Sequence, residues 1–225
     1  MPEPASPIAH PRQRTTLAAS ATLQGKGLFT GEPATITFKP GLDGYSIVRA
    51  DKKRAIPVRL VSLHKDPIHP AFKDQKPRST NLSSTHIVAA TVEHALSALA
   101  GLGVTDCTIE LEGPEVPILD GSAKPFVDAI LAAGLATLPG GIAPFTLTDP
   151  IVVQDEEAGA SITAQPRSAP GWSITYELEY GDNAPIPTQR ATWDGSPDAY
   201  ARHIAPARTF CTQAEANALQ AAGLF

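Results

Sequence analysis

Thr91-Val92-Glu93-His94-Ala95-Leu96-Ser97-Ala98-Leu99-Ala100-Gly101 is the stretch on which the reading of this chain turns. At 3.6 residues per turn Val92, Leu96 and Leu99 share one side of a helix, while Glu93, His94, Ser97 and Gly101 gather on the other. The pattern predicts one face that packs and one that is small, polar and open. With Thr91 as N-cap, Glu93 and His94 fall in the first turn, where the positive end of the helix dipole favours a carboxylate and disfavours an imidazolium. Neutral imidazole beside ionised carboxylate suits a metal site in which the acid is the general base and the histidine a ligand. The same dipeptide serves equally well as a solvated first turn, so the pair alone does not fix the chemistry.

The totals narrow the field. The 225 residues, 42% of them hydrophobic, suffice for one large or two small domains with real cores. No apolar run approaches the roughly 20 residues of a membrane-spanning helix, and Met1 to Pro11 is rich in proline and alanine without an apolar signal core. The expected location is therefore the cytoplasm. Two cysteines, Cys107 and Cys211, make neither a disulfide framework nor a thiolate zinc site, and both read as small buried hydrophobes. The net charge of −5 hides an asymmetry, with 13 Lys/Arg against 6 Asp/Glu in residues 1–90 and 5 against 17 in residues 91–225. A basic first part attracts phosphates or an anionic membrane surface, but its longest cluster, Lys52-Lys53-Arg54, favours scattered solvated charges. No aromatic-interleaved basic motif supports nucleic-acid binding.

Outward from the central helix, residues 1–12 read as a disordered leader. Gly25 to Gly31 is a glycine-punctuated turn, either a hairpin connection or a close approach to a ligand. Alternation predicts strands over Ala34–Lys39, Ser46–Arg49, Val58–Val61 and Cys107–Glu112; residues 64–78 form a polar loop in which His64 and His69 are surface histidines. Gly101 and Gly103 mark the end of the central helix. The rigid loop Pro114-Glu115-Val116-Pro117-Ile118-Leu119-Asp120-Gly121-Ser122 leads into a helix over Ala123–Ala133, which Asp120 either caps or, alternatively, precedes as a buttress to a metal ligand. Leu138 to Pro144 is the best linker, dividing a first α+β domain (13–137) from a second (145–225). The second begins with strands at Ile151–Gln154, Ser161–Ala164 and Trp172–Tyr180, then a helical stretch at Ala199–Ile204, Ala207-Arg208-Thr209-Phe210 and a helix over Thr212–Ala222. It repeats the first half's layout but stops where a strand and helix would follow, so the second domain is expected to be incomplete.

Five segments in order resemble UDP-3-O-acyl-N-acetylglucosamine deacetylases, the LpxC family of zinc amidases in lipid A synthesis. They are Gln13-Arg14-Thr15, Gly27-Leu28-Phe29-Thr30-Gly31, Thr91-Val92-Glu93-His94 with Ser97 to Gly103, Pro114 to Ser122, and Ala207-Arg208-Thr209-Phe210. The resemblance runs from Gln13 to Phe225 and implies two similar domains, each layering a β-sheet against helices, with zinc (Zn2+) as cofactor and UDP-3-O-acyl-N-acetylglucosamine as substrate. It assigns Glu93 as general base, His94 as a zinc ligand and Thr209 as the hydrogen-bond donor to the developing oxyanion. Asp120 lies in the motif that buttresses the site, Phe210 adjoins the substrate passage, and Tyr180 aligns with an aromatic residue of the uridine contact. Two departures stand out. Phe29 occupies the usual family histidine position, and the His-Lys-x-x-x-Asp segment that supplies the remaining zinc ligands has no counterpart before Phe225. The expectation is the first two thirds of a deacetylase, inactive alone, with a non-catalytic shortened paralogue that binds a UDP-sugar or a protein partner as the alternative.

Overall fold

The computed structural model describes residues 12–68, 78–168, 171–181, 184 and 186–221. In chain order the strands are β1 (Arg12–Leu17), β2 (Ala21–Lys26), β3 (Pro33–Pro40), β4 (Tyr45–Arg49), β5 (Arg54–Pro57), β6 (Leu82–Ser84) and β7 (Ile87–Ala89). Helix α1 (Glu93–Gly101), β8 (Cys107–Glu112) and α2 (Lys124–Ala133) follow. Then come β9 (Leu135–Ile142), β10 (Ile151–Asp155), β11 (Ala160–Ala164), β12 (Ile174–Leu178) and β13 (Gln189–Trp193). A short α3 (Pro197–Ala199) runs into a π-helical turn at Tyr200–Ile204, and α4 spans Gln213–Ala221. The class is α+β.

The chain divides into two compact units, Arg14–Leu138 with Ser196–Phe225, and Met1–Gln13 with Pro139–Gly195. The larger unit is built on a five-stranded sheet in the order β2-β3-β8-β4-β5, antiparallel throughout except for the parallel β4–β8 pair. Period-2 alternation aims Ala34, Ile36 and Phe38 of β3 and Cys107, Ile109 and Leu111 of β8 into one core, with Ile36 opposite Leu111 and Phe38 opposite Ile109. Helix α2 covers that face with Phe126, Val127 and Ile130, and the Phe126 ring meets Phe38 edge-on at 6.1 Å. Helix α1 and the residue that precedes it add Val92, Ala95, Ala98 and Leu99, each at most 1% exposed; Val92 and Leu99 pack as expected, but Leu96 is only half-buried and Ala95 and Ala98 complete the packing face in its place. Cys107 lies deep in this core, where burial pushes its thiol up to about 12. In the smaller unit β10–β11 and β12–β13 are antiparallel hairpins, and Trp172 meets Trp193 edge-on at 4.7 Å.

Several expectations are corrected. Thr91 is not the N-cap of α1: Val92 holds that position without a side-chain bond, and Thr91 has a left-handed backbone, φ 56°, with its hydroxyl turned elsewhere. The second face of α1 is not wholly open, because Tyr200 lies across its C-terminal half. The Tyr200 hydroxyl and Ser97 Oγ are 2.5 Å apart, and a Cβ on Gly101 would stand 2.3 Å from the Tyr200 ring. Ser97 and Gly101, four residues apart, form a notch that receives a ring from about a hundred residues later, a partner that periodicity cannot see. Burial raises the Tyr200 phenol, and the Ser97 hydroxyl opposes the rise in part. Tyr200→Phe is expected to cost about 1 kcal/mol in denaturant unfolding, the worth of one largely buried hydrogen bond; no change in midpoint would remove that contact from the account.

Val58–Val61 is not a strand. Pro57 ends β5, the Arg59 amide donates back to Pro57, and a 3-10 turn over Leu60–Ser62 follows. The expected linker 138–144 lies largely in β9, and 196–225, expected in a second domain, belongs to the unit that holds the central helix. Tyr200, Thr209 and Arg78 each make bonds inside that unit, which is the physical reason. Cys211 is exposed rather than buried. His64 is half-buried, and His69 and residues 1–11 lie outside the described residues.

Candidate active site

The larger unit brings the α1 entrance, the Gly27–Gly31 turn, the loop 114–122 and the segment 207–212 into one structure. At the α1 entrance Glu93 and His94 are both half-buried. A Glu93 carboxylate oxygen accepts from the Thr80 amide at 2.8 Å. Burial raises the Glu93 carboxyl above its ordinary value. Backbone hydrogen bonds and His94 pull against that shift, while the negative charge of Glu115 adds to it. A desolvated carboxylate at the open end of a helix, with an imidazole next to it, has the properties of a proton acceptor held ready for use.

The residue that organises this region is Glu115, which is not among the residues expected from the sequence. It is 0% exposed, and its carboxylate accepts from the Leu28 amide (3.0 Å), the Phe29 amide (3.1 Å to each oxygen) and the Thr30 amide and hydroxyl (both 2.9 Å). It also accepts from the Thr91 hydroxyl at 2.8 Å, which is where that hydroxyl goes instead of capping α1. A Cβ on Gly27 would stand 2.3 Å from a Glu115 oxygen, so the glycine in this turn is required by the approach of the acid. The signal in the sequence is an acidic residue between Pro114 and Pro117 in an otherwise apolar loop, a position where a carboxylate has no reason to be unless something receives it.

The 120–122 turn is the second anchor. Asp120 does not cap α2 directly, since Ala123 is the N-cap. Its carboxylate accepts from the Ser122 amide (3.0 Å) and hydroxyl (2.8 Å), while the Ser122 hydroxyl accepts from the Lys124 amide at 3.1 Å. Burial works against the charged form of Asp120, but those bonds and the Arg208 guanidinium, 4.0 Å away, outweigh it and leave the carboxyl below its ordinary value. The Thr209 amide donates to the Gly121 carbonyl at 2.8 Å, which pins the segment while leaving the Thr209 side chain exposed. The Arg78 guanidinium bonds Glu215 at 2.5 Å, tying α4 to the segment whose Thr80 amide reaches Glu93.

Asp120, Thr209 and Phe210 thus cluster around one turn, and Glu93 and His94 sit together at the α1 entrance. Among the described residues no hydrogen bond joins Thr209 to either Glu93 or His94. Phe210 is 54% exposed; Tyr180 belongs to the smaller unit, where it is also exposed. Among the described residues no three His, Cys, Asp or Glu side chains converge to hold a metal ion. One imidazole and one neighbouring carboxylate do not make the three-ligand set of a catalytic zinc, so the described residues do not fit that ion by themselves.

Residues 14–225 match the family model for LpxC, UDP-3-O-acyl N-acetylglycosamine deacetylase. The UDP-3-O-acyl-N-acetylglucosamine deacetylase of Anaeromyxobacter dehalogenans (strain 2CP-C) is 33% identical over 211 residues, covering 93% of this chain and 64% of the relative. The protein of the same name from Synechocystis is 36% identical over 214 residues, 93% of this chain and 72% of the relative. The bifunctional enzyme LpxC/FabZ of Bacteroides thetaiotaomicron is 35% identical over 217 residues, 94% of this chain and 44% of the relative. The chain therefore spans just under two thirds of the Anaeromyxobacter protein, and the family-model match includes the α1 entrance, the Glu115 loop and the Thr209 segment. By that family match over nearly its whole length, this chain belongs to the LpxC family of deacetylases.

Proposed function

We propose that this chain carries the amide-hydrolysing scaffold that removes the acetyl group of UDP-3-O-acyl-N-acetylglucosamine, giving UDP-3-O-acyl-glucosamine and acetate for lipid A biosynthesis in the cytoplasm. The observation that supports it best is the half-buried Glu93 carboxylate at the α1 entrance, raised in pKa by burial, with His94 beside it. In this reading Glu93 takes the proton from the attacking water, and the exposed Thr209 side chain donates to the oxygen on which charge develops. The Asp120 turn holds Thr209 in place through the Gly121 carbonyl. Phe210 meets the substrate near the acyl passage, and Tyr180 meets the uridine. His94 is one zinc ligand in this proposal, and the described residues do not complete the set. No described helix is long and apolar enough to cross a membrane, and any contact with a lipid surface is peripheral in this reading.

The substrate assignment is tested by joining residues 14–225 to the C-terminal third of the Anaeromyxobacter relative and assaying acetate release from UDP-3-O-acyl-N-acetylglucosamine. Release is expected; a folded fusion that liberates no acetate contradicts the reading. A separate prediction concerns the chain itself. After chelation and reconstitution its zinc content, measured by elemental analysis, is expected to stay well below one equivalent. Tight stoichiometric zinc would show that the ligand count is wrong.

A further inference from the structure

We propose that Glu115 is a positioning residue for the Glu93–His94 pair, a single buried carboxylate that locks the Gly27–Gly31 turn and the entrance of α1 to each other. The inference rests on the reading of Glu93 and His94 as the reactive pair. Three successive amides, Leu28, Phe29 and Thr30, turn inward to form a cradle of the kind that binds anions, and the anion that fills it comes from the chain's own loop. The same carboxylate takes the hydroxyl of Thr91, two residues before Glu93. Thr91 is β-branched and sits at φ 56°, a conformation such residues adopt only when held. Two bonds hold it: its amide donates to Asn81 Oδ1 at 2.9 Å and its hydroxyl to Glu115. On either side of Glu115 the Ala90 amide donates to Pro114 and the Val116 amide to Ala90, so the loop and the approach to α1 run together like paired strands.

The direction in which α1 leaves Thr91 therefore depends on an acid that also fixes the turn carrying Phe29. A carboxylate this fully buried is tolerated only when it is fully bonded, and replacing one of its oxygens by an amide NH2 sets a donor against the N–H and O–H groups that oxygen serves. A residue that merely closed the turn would leave α1 alone; a positioning residue transmits its loss to Glu93 and His94.

The test compares the full chain with Glu115→Gln by amide hydrogen exchange and by the NMR cross-peaks of the His94 ring. The expected result is exchange about tenfold or more faster at Leu28, Phe29, Thr30 and Leu96, with His94 ring signals that broaden or split, while Ile36 and Ile109 in the sheet core keep their protection. A folded variant that loosens only the turn, or that changes nothing, overturns the proposal. If Glu115→Gln does not fold, Thr91→Val removes the helix-side bond alone; it is expected to reproduce the His94 ring change with the turn amides still protected, and unaltered ring signals overturn the proposal. Failure of the acetate-release assay would remove the deacetylase reading without touching these outcomes, so the two can fail separately.

Discussion

Glu93→Ala, placed in the fusion that completes the chain with a relative's C-terminal third, is expected to lower kcat by about 10²–10⁴-fold, the usual contribution of a positioned general base, while bound zinc stays unchanged. His94→Ala in the same fusion is expected to lose both metal and turnover. The difference follows from where the two side chains sit. Both are half-buried at one helix entrance, but the Glu93 carboxyl is desolvated, takes the Thr80 amide and is pushed up by burial. Those are the traits of a proton acceptor rather than of an ion-pair partner. Removing the acid leaves the imidazole in place; removing the imidazole takes away the proposed zinc ligand. Acetate release and zinc content measured on the same preparations separate the roles, and equal activity in all three proteins overturns the assignment. The structural risk is small for either change, because Val92, Ala95, Ala98 and Leu99 carry the packing of α1.

The second large effect is on stability, away from the site. Asp106 is 2% exposed and is held by Arg14, by the Thr105 hydroxyl at 2.5 Å and by the Gly44 amide at 2.8 Å. The hydrogen bonds from Arg14 are the largest cause that brings its carboxyl down to about 2; burial opposes them, and Thr105 and Gly44 assist. The folded value lies below the ordinary value of 3.8, so the stabilisation is fully present above that ordinary value and is lost as the pH falls through the folded one. The linkage amounts to about 2 kcal/mol between about pH 4 and pH 2. Denaturant midpoints measured across that range are expected to fall in the native chain and to fall less in Asp106→Asn, which is destabilised already at neutral pH. Parallel pH curves for the two proteins contradict this role. The site matters to the fold because the bond between Arg14 and Asp106 ties β1 to the residue that opens β8, and the Thr105 and Asp106 amides both donate to the Thr15 carbonyl.

Much of the larger unit was legible in the sequence. The alternation in β3 and β8, Val92 and Leu99 on the packing face of α1 and the Phe126, Val127 and Ile130 stripe of α2 are local patterns whose period states which way each side chain points, although Leu96 and Leu131, on the same stripes, stay partly exposed. The Glu93–His94 pair, to which the proposed chemistry is assigned, stands out in the sequence too, because a carboxylate beside an imidazole at a helix entrance is costly and therefore conspicuous. What escaped depends on partners far along the chain. Tyr200 over Ser97 and Gly101, Thr209 on Gly121 and Glu215 on Arg78 bring residues 196–221 back to the unit that begins at Arg14. Linker composition at Leu138 to Pro144 therefore gives a different division from the contacts, which group Ser196–Phe225 with Arg14–Leu138. Thr91 was misread for the same reason: a threonine before a helix is ordinarily a cap, and only the buried Glu115 diverts its hydroxyl. Glu115 itself is hard to read from sequence because a buried acid is detectable only through its donors, most of which, at Leu28 to Thr30, lie some 85 residues earlier.

In the proposed function the α1 entrance, the Gly27–Gly31 turn and the Asp120–Thr209 turn form the surface that receives the acylated sugar nucleotide. The most direct measurement titrates the 15N-labelled chain with UDP-3-O-acyl-N-acetylglucosamine and maps amide shifts. Saturable shifts centred on Thr91–Ser97, Leu28–Thr30, Asp120–Ser122 and Thr209 are expected; saturable shifts that leave all of these unmoved, or none anywhere, would contradict that surface.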